Sequence, residues 1–155
     1  EATVLFSANP GEEAKPLAKV ASGGELSRIA LAFKAAAAGA GDAGTMVFDE
    51  VDAGIGGQTA RMVAEKIALV ARDKQVLCVT HLPSIAAMAD RHFGVEKRAA
   101  GDRTTIAVRV LDEDERCREV ARMTAGDNLT RAALDSAAEM IASARSQKEK
   151  WKNQA

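Results

Sequence analysis

The sequence contains no tyrosine, and its aromatic residues are four phenylalanines and one tryptophan. A core built mainly from Ala, Val, Leu and Ile suits helices packed on a sheet better than an aromatic-rich β-sandwich. The two cysteines, Cys78 and Cys117, form neither a disulfide framework nor a metal site, so a reducing cytosol is the expected compartment. No run approaches the length of a membrane span, and the start of the chain lacks the charged and apolar regions of a signal peptide.

An excess of charge of either sign is also missing, because 21 Lys and Arg residues face 22 Asp and Glu residues. This balance excludes a strongly basic DNA-binding module, although it leaves room for a local basic patch. Scattered arginines are usually solvated or paired, but five of them could contribute to a phosphate-facing patch: Arg28, Arg91, Arg98, Arg103 and Arg109. The length of 155 residues suits one domain with a buried core.

Apolar residues switch between strand and helix spacing several times along the chain, which predicts an α/β domain. The first predicted strand is residues 2–7, followed by a turn at 9–11 and a loop to residue 21. Two further strands are predicted at residues 45–48 and 75–80. A β-hairpin is predicted from strands at 93–97 and 104–110, joined through residues 100–102. The predicted helices are residues 22 to about 38, 58 to about 72, 83 to about 91, 115–124 and 130–150. We therefore expect a mostly parallel sheet flanked by helices, followed by the hairpin and a helical pair.

Helical spacing predicts the buried face of three helices. The expected inward residues are Leu26, Ile29, Ala30 and Phe33 in the first, Val63, Ile67 and Val70 in the second, and Leu134, Ala137, Ala138 and Ile141 in the last.

A helix start at Ser22-Gly23-Gly24-Glu25 is the first candidate site. One interpretation is a capping box, with Ser22 as the N-cap and Glu25 reaching back to it. The other is an anion site, because exposed N–H groups, a hydroxyl and two glycines that allow close backbone approach suit a phosphate. The two interpretations are compatible.

Two acids, Asp49 and Glu50, follow the apolar run of residues 45–48. The carboxyl end of a buried strand is where α/β folds bind ligands. Side chains alternate along a strand, so the two acids would have different roles if the strand continued through them. One could hold Mg²⁺ and the other could activate a water molecule. A strand that simply ends in two solvated acids is the competing interpretation.

A glycine-containing loop, residues 51–57, comes directly after these acids and requires either flexibility or positive φ angles. A second buried strand then ends at His81. A lone histidine is usually structural, but this one follows a strand expected to neighbour residues 45–48. It could therefore reach the same crevice and donate a hydrogen bond to a phosphate.

The order of these four motifs is similar to that of the carboxyl half of an ABC-type ATPase head. In that family they are the signature motif, Walker B, the D-loop and the H-loop. The forms SGGE and DEVDA resemble the SMC and Rad50 branch more than transporters. The strings ASGGELSRIALAFK, VFDEVDAGIGG and VTHLPSIAAMADRHFGVEK resemble the RecN family of bacterial SMC-like DNA-repair ATPases, over about residues 15–126.

The resemblance implies ATP and Mg²⁺ as cofactors. Ser22, Gly23 and Gly24, with Glu25 as the fourth signature residue, would bind the γ-phosphate of an ATP held mainly by an opposing head.

The remaining motifs would serve the ATP of the chain's own head. Asp49 would support Mg²⁺ and Glu50 would polarise the attacking water. His81 would contact the γ-phosphate, and the D-loop residues Ala53, Gly54 and Gly56 would lie across the interface between heads.

Two positions depart from the family pattern. Ala21 stands where leucine is usual. Gly56 replaces the usual D-loop aspartate, which puts an aspartate-mediated link across the dimer in doubt.

The chain lacks a G-x-x-x-x-G-K-[ST] phosphate cradle, and it has no sustained heptad pattern. It therefore resembles a single C-terminal head lobe, residues 1–155, from which the Walker A lobe and the coiled coil are absent. The expected partners are an N-terminal Walker A lobe of the same protein, a second head in an ATP-dependent homodimer, and DNA through the full protein. The expected location is the bacterial cytoplasm, at the nucleoid.

Two alternatives remain open at this point. The chain could be a lobe of an SMC or Rad50 protein proper. It could also be a non-catalytic dimerisation module, although the presence of Asp49, Glu50 and His81 argues against a degenerate site.

Overall fold

The fold is known from a computed structural model that describes residues 3–7, 11, 13–17, 22–36, 44–100 and 103–153. The chain divides into two compact units, Glu1–Thr80 and His81–Ala155. Strands and helices alternate through most of the chain, so the predicted α/β class is confirmed. No helix in the described ranges is long and apolar enough to cross a membrane.

The first unit begins with a short antiparallel pair, β1 (Leu5–Phe6) and β2 (Lys15–Pro16). The predicted first strand is therefore too long, and β2 lies in a segment predicted to be loop. Of the predicted turn at residues 9–11, only Gly11 is among the described residues.

Strands β3 (Thr45–Phe48) and β4 (Gln75–Cys78) form a parallel pair in the first unit. The register sets Phe48 opposite Cys78, and the pairing extends one step further because the Val79 N–H donates to the Phe48 carbonyl at 3.0 Å. Both strands therefore end at the same edge, as predicted.

Helix α1 (Gly23–Ala36) leads towards β3, and helix α2 (Gly57–Val70) connects β3 to β4. The predicted inward residues of α2 are buried. The predicted face of α1 is wrong, since Leu26 and Phe33 are exposed while Leu31 is buried. Helix α1 has apolar residues on more than one face, so its spacing alone does not define the buried face. The packing of α1 against α2 determines which face is buried. The predicted stop at 39–44 lies outside the described residues except for Gly44.

The second unit contains helix α3 (Pro83–Met88), hairpin strands β5 (Phe93–Ala100) and β6 (Arg103–Val110), and helices α4 (Glu113–Ala125) and α5 (Arg131–Lys152). The antiparallel hairpin is longer than predicted, and residues 101–102 of its turn are not described. Helix α3 ends three residues earlier than predicted because the backbone at Ala89 is extended, with ψ of 147°.

Three helices enclose the core of the second unit, which consists of Ala86, Ala87, Val120, Ala121, Ala137 and Ile141. The buried Arg116 guanidinium donates to the carbonyls of Ala87 at 2.8 Å and Ala89 at 2.7 Å, which satisfies the end of α3. The predicted burial of Ala137 and Ile141 is confirmed and Leu134 is partly buried, whereas Ala138 is exposed.

Candidate active site

Glu50 lies in a tight turn immediately after β3. Its φ angle of 57° is in the left-handed region, which non-glycine residues rarely adopt. The turn is closed by the Ala53 N–H, which donates to the Glu50 carbonyl at 3.0 Å. The alternation of side chains along β3 therefore ends at Phe48. The turn, and not the strand, sets the directions of the Asp49 and Glu50 side chains.

Asp49 is exposed beside this turn. One of its carboxylate oxygens, Oδ1, accepts the Glu50 N–H at 3.0 Å, and its carbonyl accepts the Ser27 hydroxyl at 2.9 Å. Within the described residues no group of three or more His, Cys, Asp or Glu side chains could hold a metal ion. Asp49 therefore suits Mg²⁺ only as one ligand among phosphates and waters, which is how this cation is usually held at nucleotide sites.

The start of α1 contains the predicted capping box. The Ser22 N–H and hydroxyl donate to Glu25 Oε2 at 2.7 Å and 2.9 Å, while the Glu25 N–H points back to Ser22 Oγ at 3.4 Å. The backbone and hydroxyl hydrogen bonds from Ser22 lower the pKa of the Glu25 carboxyl, with a smaller contribution from Arg28. Glu25 therefore remains ionised at neutral pH and accepts the hydrogen bond of the Ser22 hydroxyl.

The helix start and the turn after β3 are in direct contact. A Cβ at Gly23 would stand 2.7 Å from Glu50 Oε2. A Cβ at Gly24 would stand 2.9 Å from both the Glu50 carbonyl oxygen and the Ala53 Cβ. The backbone contact at Gly24 requires glycine, whereas at Gly23 the movable carboxylate of Glu50 would have to shift. The helix start and the turn after β3 therefore share one surface.

The loop that follows is partly anchored and partly open. Ala53, Gly54 and Gly56 are exposed, and Gly54 has a φ of 71°. Gly56 is the N-cap of α2 with an extended φ of −161°, a conformation that any residue adopts. A side chain at this position would meet nothing within 4 Å, so steric demand does not explain glycine in place of aspartate.

His81 is exposed and is the first residue of the second unit, whereas Asp49 and Glu50 belong to the first. The residue before it, Thr80, belongs to the first unit and donates its hydroxyl to Asp52 Oδ2 at 2.5 Å. Asp52 is only 3% exposed.

The hydrogen bonds of Arg28, Asp52 and Thr80 were not predicted from the sequence, which offered Arg28 only as a candidate for a phosphate-facing patch. Arg28 Nη1 donates to the carbonyls of Ala53 at 2.8 Å and Val51 at 3.3 Å. These contacts depend on the fold of the loop, and no motif spacing would have revealed them.

The fold is that of an SMC-type ATPase head. A solved chain from work on ATP-driven dimerisation and DNA-stimulated activation of SMC ATPases matches with a TM-score of 0.52 and 24% identity, covering 77% of this chain and 79% of that one. No family model matches the sequence.

Curated relatives define the family more narrowly. DNA repair protein RecN of Deinococcus radiodurans is 55% identical over 137 residues, and RecN of Treponema pallidum is 49% identical over 137 residues. RecN of Streptomyces coelicolor is 46% identical over 145 residues, or 94% of this chain. The chain is therefore similar to part of these RecN proteins, and it spans about a quarter of their length.

Proposed function

We propose that the chain supplies the water-activating side of an ATPase head in a RecN-type DNA-repair protein. The observation that carries the proposal is the position of Glu50, an exposed carboxylate at the carboxyl end of β3, held in a left-handed turn against the start of α1. An acid fixed in this way can accept a proton from, or orient, a water that attacks a phosphate. The complete head, not this chain alone, would hydrolyse ATP.

Asp49 is the residue we assign to Mg²⁺. Its exposed carboxylate is a hard oxygen ligand, and the bound ATP would complete the coordination. The metal would neutralise phosphate charge, while Glu50 one residue later remains available to the water. His81 would donate a hydrogen bond to the γ-phosphate of the same nucleotide.

The start of α1 is the site we assign to the nucleotide of an opposing head. Helix N-termini favour anions, because their first N–H groups lack intrahelical partners and the helix dipole is positive there. Ser22, Gly23 and Gly24 would face the γ-phosphate, and the Ser22 hydroxyl would exchange its bond to Glu25 for one to phosphate. The contact with Glu50 would then link one nucleotide to the acid that serves the other.

Two apolar sheet faces support the proposed Walker A lobe as a partner. In the first unit, Val47, Leu77 and Val79 are 66%, 47% and 63% exposed on the β3–β4 pair. In the second unit, the exposed hairpin residues are Phe93, Val95, Ile106, Val108 and Val110. Apolar surface of this extent marks an interaction site. About three quarters of the length of the relatives lies outside this chain, which is ample for a lobe that covers the β3–β4 face.

The other partners follow from the family. Head-to-head dimerisation through two ATP molecules would bring the D-loop residues Ala53, Gly54 and Gly56 to the interface. Hydrolysis would separate the heads and so couple ATP to DNA tethering at double-strand breaks, in the bacterial cytoplasm at the nucleoid.

The proposal is tested by adding a separately produced Walker A lobe of the same gene to this chain. We expect no ATP hydrolysis by the chain alone, turnover on mixing, and loss of that turnover when the chain carries Glu50→Gln. Association of the lobes without any turnover, even with DNA present, would favour the alternative, a non-catalytic dimerisation module.

A further inference from the structure

The loop after β3 is held by side chains from α1. Arg28 Nη1 donates to two carbonyls, those of Ala53 at 2.8 Å and Val51 at 3.3 Å. One residue earlier in α1, the Ser27 hydroxyl donates to the Asp49 carbonyl at 2.9 Å. Two consecutive residues of one helix thus fix the backbone on both sides of Glu50.

The opposite side of the loop is anchored by Asp52. Its carboxylate accepts the Thr80 hydroxyl at 2.5 Å and is buried, with the residue 3% exposed. Arg28 binds the carbonyls of the residues immediately before and after Asp52. The loop therefore has one attachment to α1 and one to the segment that follows β4.

This anchoring matters because the turn is conformationally unfavourable. The left-handed conformation of Glu50, φ 57°, is disfavoured for a residue with a side chain because its Cβ crowds the following carbonyl oxygen. Within the turn, the Ala53 N–H donates to the Glu50 carbonyl. Backbone strain of this kind persists where surrounding contacts hold it, and here the contacts come from Arg28 and Ser27.

We propose that Arg28 is a positioning residue for Glu50. By binding the Val51 and Ala53 carbonyls, Arg28 keeps the Glu50 carboxylate beside Gly23. The inference rests on the proposed function. Arg28 acts on the loop through hydrogen bonds to backbone carbonyls and donates no proton to the reaction. A lysine would supply one charged donor in place of the broad guanidinium and would retain part of the effect.

The test is steady-state ATP hydrolysis by the full-length protein carrying Arg28→Met, Arg28→Lys or Arg61→Met. Arg61 is an exposed arginine on α2 and serves as the matched control. For Arg28→Met we expect kcat to fall by about 10- to 100-fold, because a small misplacement of a reacting group has effects of this size, with KM for ATP within about twofold of wild type. Arg28→Lys should recover part of kcat, and Arg61→Met should match wild type.

A double-mutant comparison separates positioning from general damage. If Arg28 acts through Glu50, Arg28→Met should lower kcat no further in a Glu50→Gln background. Wild-type kcat in Arg28→Met, a raised KM with unchanged kcat, or an equal loss in both backgrounds would overturn the inference. Should Arg28→Met fail to fold, Arg28→Lys in the same two backgrounds decides it by the same criteria.

The outcome for Glu50→Gln alone distinguishes the two proposals. Wild-type turnover in Glu50→Gln would remove the proposed function itself. Loss of turnover in Glu50→Gln together with normal turnover in Arg28→Met would leave that function standing and remove only the role of Arg28.

Discussion

Glu50 lies so close to the backbone of Gly23 that a Cβ at position 23 would stand 2.7 Å from its carboxylate. The start of α1 and the acid after β3 therefore form one surface. A Cβ added at Gly23 should therefore displace the Glu50 carboxylate while the chain still folds.

Alanine at Gly23 and Gly24 should have different effects. A Cβ at Gly23 meets the movable end of a side chain, whereas one at Gly24 meets the Glu50 carbonyl and the Ala53 Cβ at 2.9 Å. We expect Gly23→Ala to lower ATP turnover of the full-length protein while its melting temperature stays near wild type. Gly24→Ala should destabilise it by about 1–3 kcal/mol through overpacking.

Gly44→Ala is the matched control, because a Cβ there meets nothing within 4 Å. Thermal unfolding and turnover of the three variants test the prediction. Equal melting temperatures for Gly24→Ala and Gly44→Ala would contradict the close approach at Gly24.

Cys78 should react slowly with alkylating agents. Burial raises the pKa of its thiol to about 11, and the nearby Asp52 and Asp49 carboxylates add to the effect. Since the thiolate is the nucleophile and the ordinary value is 9.0, its population at pH 8 falls by about 100-fold. Iodoacetamide labelling, followed by mass spectrometry of the Cys78 peptide in native and urea-unfolded protein, measures this.

The variant Asp52→Asn should accelerate labelling of Cys78, because it removes one of the two nearby negative charges. It also keeps an oxygen acceptor for Thr80. Native labelling of Cys78 as fast as in the unfolded protein would show that the thiol is not buried.

His92 should make the second unit less stable in mild acid. Burial lowers the pKa of its imidazole from 6.5, helped by the nearby Arg116 and opposed by Glu119. The unfolded chain then takes up the proton more readily than the folded one, so stability is complete above about pH 6.5 and falls as the pH drops towards the lowered pKa.

Urea unfolding of this chain between pH 7.5 and 5, followed by the fluorescence of Trp151, measures that slope. His92→Gln should reduce the slope, because it removes the buried imidazole. A steeper slope in His92→Gln than in wild type would contradict the assignment.

Strand β3 was predicted with its observed bounds, because a short apolar run between glycine and two acids leaves little freedom. The capping box at Ser22 was likewise readable, since it depends on residues three apart. Local chemistry of this kind is contained in the sequence itself.

The buried face of α1 was not readable in the same way. Residues 29–33 are all apolar, so Leu31 and Phe33 could equally have faced inward, and contact with α2 decided between them. Two further features depend on contacts between segments over 20 residues apart: the left-handed turn at Glu50, and the hydrogen bonds from Arg28 to the loop carbonyls. Patterns within one segment carry no information about them.

The most direct measurement is ATP binding, ATP hydrolysis and ATP-dependent dimerisation of the full-length protein with Glu50→Gln. We expect hydrolysis to fall by about 10²–10⁴-fold, the usual effect of losing a general base, while ATP still binds and the dimer accumulates because it is no longer resolved by hydrolysis. Hydrolysis at the wild-type rate, with no accumulation of the dimer, would contradict the role assigned to Glu50 and with it the water-activating function of this chain.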